Sequence, residues 1–275
     1  MSQYGAPTNH GMEHRVKYGA WVAGGLLFVF GLFLQSRIER VSIDSSAAPQ
    51  ASRVEALANS PTLQPGWTDV LESLDPPADR GTVDALTRFI RAHPDRDPIQ
   101  QALRALEKLG GAYGVKAIHL IGGERPEFAE EAAVRLSRVR GRDAAPALLD
   151  VIRDTKASDL FVAAALRSLG QTTLRDTLPE ILTIASDETR STKIRVAATH
   201  ALGSIADPEA LAVLTSLLRS STLHVRRQAI RAIGRIRSPA AVNALQSFVA
   251  SSTNDQERVL AREALDRLYG KPTLR

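Results

Sequence analysis

The sequence predicts an all-α protein: a solenoid of about six helical pairs, preceded by one hydrophobic helix. Three observations predict it. The line IRVAATHALGSIADPEALAVL, from Ile194, overlays VRRQAIRAIGRIRSPAAVNAL, from Val225, with one offset of 31 residues. A fixed period of that size marks one supersecondary unit stacked on itself. The apolar residues Ile194, Ala197, Ala198, Ala201, Leu202 and Ile205 recur at helical spacing. Finally, Tyr18–Leu34 holds no charge and is bracketed by Arg15 and Lys17 before it and Arg37 and Arg40 after it.

Each unit reads as two helices. The overlay pairs Arg195 with Arg226, Ala198 with Ala229, Gly203 with Gly234 and Pro208 with Pro239. Gly203 and Gly234 each cost about 1 kcal/mol of helix propensity against Ala. Their return at one phase predicts a close helix approach with no side chain in the way. Asp207-Pro208 and Ser238-Pro239 stop one helix and start the next, the polar residue capping and the proline taking the first position. Leu211, Leu214 and Leu218 then face the core, as do Val242, Leu245 and Val249 one unit later.

These residues carry a resemblance. The run I-R-x-x-A-x-x-A-L-G-x-I-x-D-P-E-A-L-x-x-L is similar to the HEAT-like repeat of the phycobilisome-lyase type, whose members form right-handed α-solenoids. Phasing on Ala102, Ala132, Ala165, Ala198, Ala229 and Ala261 gives steps of 30, 33, 33, 31 and 32. The repeat arginine stands at Arg195, Arg226 and Arg258, whereas the earlier units have Ile99, Ala129 and Val162. The resemblance spans residues 81–270. It implies a fold and not an activity, because such members include pigment lyases, DNA-binding glycosylases and scaffolds.

Along the chain, 1–17 is a short polar tail and 18–36 a transmembrane helix. A helix of 19 residues spans about 28 Å, close to the ~30 Å hydrocarbon core. Tyr18 and Trp21 suit the interfacial belt, Phe28, Phe30 and Leu34 the lipid, and Gly24 a small-residue face toward other transmembrane helices. The run exceeds an ordinary signal-peptide core, so an uncleaved single-pass anchor is expected. The short tail places the repeats on the exported, periplasmic or extracytoplasmic side, although flanking charge barely separates the two orientations. Residues 37–80 read as a Pro/Ser/Ala-rich tether with a short capping helix at Trp67–Leu74. The repeats fill 81–270, and 271–275 is a tail.

The chain lacks cysteine, which removes disulfides, thiol catalysis and cysteine-ligated zinc. No nucleotide loop, nucleophile elbow or zinc-helix histidine pair is present, so no catalytic, cofactor or metal residues are expected. The formal charge is +5, and it is unevenly placed. No acidic residue stands between Glu209 and Asp255, while Arg227, Arg231 and Arg235 share one face of one helix. By the resemblance these positions line the groove, with Lys193 and His200 on one side and Glu263 and Arg267 on the other. The expected function is a non-enzymatic membrane-anchored scaffold or accessory subunit, whose basic groove docks an acidic segment of a protein partner. The alternatives are nucleic-acid binding, disfavoured because Phe248 is the lone aromatic there, and a lyase or chaperone acting on a cofactor-bearing protein.

Overall fold

The computed structural model describes residues 49–76 and 79–270. The expected anchor at 18–36, with Tyr18, Trp21, Gly24, Phe28, Phe30 and Leu34, lies outside the described residues. So do the tails at 1–17 and 271–275. Among the described residues no helix is long and apolar enough to cross a membrane. From Gln50 onward the chain forms one compact unit, and its regular structure is entirely helical among those residues.

Three helices close the N-terminal end: α1 (Gln50–Ala58), α2 (Trp67–Glu72) and α3 (Arg80–Ala92). The helix at Trp67 stands where a cap was expected. A second helix, α1, stands inside the stretch read as a tether, and it packs along α3. Val54, Leu71, Leu74 and Phe89 are fully or almost fully buried there. Trp67 lies 5.9 Å from Phe89, and His93 bonds the Leu57 carbonyl oxygen at 3.0 Å. The apolar positions of α1 are few and widely spaced, so the proline and serine around them dominate a reading from composition.

The repeats follow as alternating first and second helices. First helices are α4 (Arg96–Leu109), α6 (Ala129–Leu136), α8 (Asp159–Thr172), α10 (Thr192–Ile205), α12 (Leu223–Ile233) and α14 (Asp255–Leu268). Second helices are α5 (Gly111–Glu124), α7 (Ala145–Arg153), α9 (Leu178–Ser186), α11 (Leu211–Leu217) and α13 (Pro239–Ser251). First helices pack on first helices, and second helices on second helices, so the chain is two layers around one continuous apolar core. Neither layer can bury its stripe alone. Asp207 accepts from the Glu209 amide at 3.0 Å and Ser238 from the Ala241 amide at 3.2 Å, so both expected caps form.

The phased glycines are the closest contacts of the first-helix layer. A Cβ on Gly203 would lie 2.7 Å from Ala232 Cα, and one on Gly170 would lie 2.6 Å from Ala201 Cα. Gly234 meets Ala264 in the same way, at 2.6 Å from its Cβ. The partner in each case is the alanine three residues past the phasing alanine of the next unit. Glycine therefore offsets its lost helix propensity by letting backbone meet backbone.

Gly203→Ala should destabilise the fold by about 1–3 kcal/mol, because the neighbour that must yield is main chain. Gly123→Ala meets nothing within 4 Å and should stabilise by about 0.5–1 kcal/mol through helix propensity alone. Urea denaturation of the two variants beside the parent checks both signs.

Candidate functional site

Stacking buries most of each first helix and leaves one narrow edge; α14, the last first helix among the described residues, also exposes Val259 and Arg262. That edge is set by two positions, two and six residues past the phasing alanine. In chain order they are Arg104 and Lys108, Val134 and Arg138, Arg167 and Gln171, His200 and Ser204, Arg231 and Arg235, then Glu263 and Arg267. All are exposed except His200 and Ser204, which are half-buried. Cross-links show the edges adjoin: Arg235 donates to Ser204 Oγ at 3.3 Å, and Gln171 donates to the Ser137 carbonyl at 3.0 Å.

The anticipated residues fall as follows. Arg231, Arg235 and Arg267 lie on this edge, and His200 sits within it on the adjacent repeat. Arg227 is half-buried and donates to Gln256 of the next first helix, so part of its work is between layers. Lys193 is exposed at the start of α10, the end of that helix farthest from Ser204. Sequence reasoning missed Arg104, Arg138 and Arg167, because it looked where acids were absent. Counting two and six residues from each phasing alanine finds them.

Two populations of arginine separate here. Two of the three repeat arginines are structural, while, among the described residues, Arg258 pairs only with Asp255 of its own helix. Arg226 donates to Glu257 at 3.0 Å and to the Ser220 and Ser221 carbonyls at 2.7 and 3.1 Å, closing the loop before α12 onto the next repeat. Arg195 is buried and reaches the Ala185 carbonyl. Away from the edge, Arg153 pairs with Glu180 and Arg175 with Asp207, both at 2.6 Å. On the edge, Arg104, Arg138, Arg167, Arg231, Arg235 and Arg267 have no carboxylate within 4 Å among the described residues. Arg231 and Arg235 are one turn apart, and such like-charge pairs cost a helix about 0.2–0.5 kcal/mol.

His200 marks the local field. Burial first, then the Arg235 and Arg167 guanidiniums, hold its pKa below the ordinary 6.5. Its Nδ1 is buried without a hydrogen-bond partner. A carboxylate arriving on this edge would oppose the arginine contribution to that lowering.

Residues 162–223 and 180–266 match the family model for HEAT repeats. No curated protein matches the chain. Among solved structures it is similar to one described as lipid-protein interactions in lipovitellin, at 14% identity and a TM-score of 0.56; the match covers 81% of this chain and 27% of that one. It is also similar to the complex of CpcE and CpcF of phycocyanin lyase from Nostoc sp. PCC7120, at 20% identity and a TM-score of 0.47, covering 55% of this chain and 96% of that one. A designed armadillo repeat protein in complex with the peptide (KR)4 matches at 19% identity and a TM-score of 0.40, over 80% of this chain and 100% of that one. The lipovitellin likeness speaks to fold alone, and the other two carry nothing further.

Arg226→Ala leaves the Glu257 side chain, 4% exposed, without its cation and should cost about 3 kcal/mol. Arg231→Ala should change stability by less than about 0.5 kcal/mol; denaturant midpoints separate the two. The lowered His200 pKa also has a sign. The unfolded chain takes up a proton near the ordinary 6.5 that the folded chain resists, so stability falls as the pH drops below that value. His200→Gln should flatten the fall in melting temperature between neutral pH and mildly acidic pH.

Proposed function

We propose that this HEAT-repeat solenoid is a non-enzymatic docking platform that receives an acidic segment of a protein partner along the first-helix edge. The observation that carries the reading is that Arg104, Arg138, Arg167, Arg231, Arg235 and Arg267 stand in repeat register on the edge with no carboxylate within 4 Å among the described residues, whereas Arg226, between layers, is paired with Glu257. Guanidinium groups held on successive rigid helices can grip carboxylates bidentately. Arg231 and Arg235 form the centre, Arg167 and His200 one flank, and Arg267 the other. Arg227 helps by orienting α14 through Gln256.

The same proposal gives Tyr18–Leu34 the role of a single-pass anchor, with the solenoid as the accessory arm of a membrane complex. Its support is the uncharged run and its basic flanks in the sequence. The edge presents no aromatic side chain among the described residues, which favours a carboxylate-bearing chain over stacked bases.

The test is a mild-detergent pull-down of the full chain and of an Arg167→Glu, Arg231→Glu, Arg235→Glu variant, compared by mass spectrometry. The expected result is a protein set held by the parent and lost by the variant, at an unchanged melting temperature. Partners retained by the variant would overturn the assignment of this edge. Recovery of nucleic acid alone, released by the same substitutions, would replace it with nucleic-acid binding.

A further inference from the structure

At the other end of the repeats the edge residues Arg104, Lys108 and Arg138 also line a hollow, joined there by Arg140. The first two repeats enclose a concavity of about 870 Å³. Its walls are the C-terminal half of α4, the end of α6 and the two loops that follow these helices. Gly110, Gly111 and Gly141 build those loops at φ of +64°, +65° and +109°, a region that favours glycine. A Cβ on Gly111 or Gly141 would stand 2.7 or 2.6 Å from the Asp143 carboxylate, and one on Gly110 would stand 3.3 Å from the Arg140 carbonyl. The loops are thus bare backbone folded around one acid, and the space in front of them stays open. Gly110-Gly111 lacks the spacing of a nucleotide loop; the glycines instead shape a wall.

The charges on that wall do not balance. Lys108 is engaged by the Glu72 carbonyl at 2.8 Å and by Asp75 at 3.7 Å. Arg135 is held by Glu107 and Glu131, both at 3.1 Å, yet its Nε–H is buried with no acceptor. Arg104, Arg138 and Arg140 line the same space with no carboxylate within 4 Å among the described residues. Counting Lys108 and Arg135 with their partners Asp75, Glu107 and Glu131, and Asp143 against the other three, leaves one net positive charge but three guanidiniums without a carboxylate. A phosphate group offers three acceptor oxygens to those three guanidiniums, where a carboxylate offers two. Guanidiniums bind such oxygens in bidentate pairs.

We propose that the concavity between the first two repeats binds a phosphate group, carried by a small soluble compound or by a lipid headgroup. The inference does not rest on protein docking at the later repeats, because it uses different side chains and a different probe.

The experiment uses the full chain and two arms. In one, sodium pyrophosphate is titrated by calorimetry at low salt. In the other, the chain is sedimented with phosphatidylcholine vesicles with and without phosphatidic acid. Saturable binding is expected in at least one arm, weakened about tenfold or more by Arg104→Gln, Arg138→Gln and Arg140→Gln together and unchanged by Arg231→Gln with Arg235→Gln. A response to pyrophosphate alone makes the ligand a soluble compound; a response to phosphatidic acid alone makes it a lipid. If circular dichroism shows that the triple variant is unfolded, Arg104→Gln and Arg138→Gln are read singly, each with a smaller loss. No saturable binding in either arm overturns the site. So does equal weakening by both variant sets, which would mean attraction to net charge only.

Discussion

Everything in this solenoid depends on how closely one first helix lies on the next. Gly170, Gly203 and Gly234 bring helix backbone against the alanines of the following repeat, within distances that no Cβ would allow. That approach fixes the rotation of each helix about its axis. It buries the phasing alanines and their neighbours completely, and it leaves a single edge two residues wide. The edges then line up from repeat to repeat because the contact that sets them recurs. A looser layer would expose broader faces and scatter the same arginines.

From that constraint the charge distribution acquires meaning. Some arginines of the first helices find a partner within the layers, and others stand on the edge. Arg226 takes the first course and closes onto Glu257 and two carbonyls. Arg231 and Arg235 take the second, and near them burial, with the Arg235 and Arg167 guanidiniums, lowers the pKa of His200. The N-terminal repeats lack the phased glycine, having Glu107 and Ser137 at that position, and there the layer opens into a concavity rimmed by glycine loops. Packing thus yields a basic line that runs, at the first two repeats, into a hollow.

The fold was legible in the sequence to the extent that it is periodic. The offset between Ile194 and Val225, the glycine phase and the Asp-Pro and Ser-Pro caps give the later helices their order and register. Residues that break the pattern were not legible. Helix α1 carries one fully buried side chain, Val54, in a short stretch rich in small residues, so nothing distinguishes it from a tether. Thr173 and Ala206 end their helices at φ of +53° and +55°, where glycine is the usual choice, and the chain supplies no such marker. The basic edge was half legible. Arg231 and Arg235 show through the missing acids, but Arg104, Arg138 and Arg167 have acidic residues near them in the chain, such as Glu107, Asp143 and Asp176. Only the repeat register brings them into line. The bare-backbone wall at Gly110, Gly111 and Gly141 depends on dihedral angles and on Asp143, which spacing alone does not reveal.

The central claim, that close first-helix stacking aligns one exposed edge, is tested most directly by distances along that edge. The chain has no cysteine, so spin labels can be placed in pairs at Arg138, Gln171, Arg235 and Arg267. Pulsed electron resonance should give separations that grow by about 8–10 Å for each intervening repeat. Separations that fail to increase with repeat number, or broad distributions at every pair, would contradict a single stacked edge and with it the account built on it.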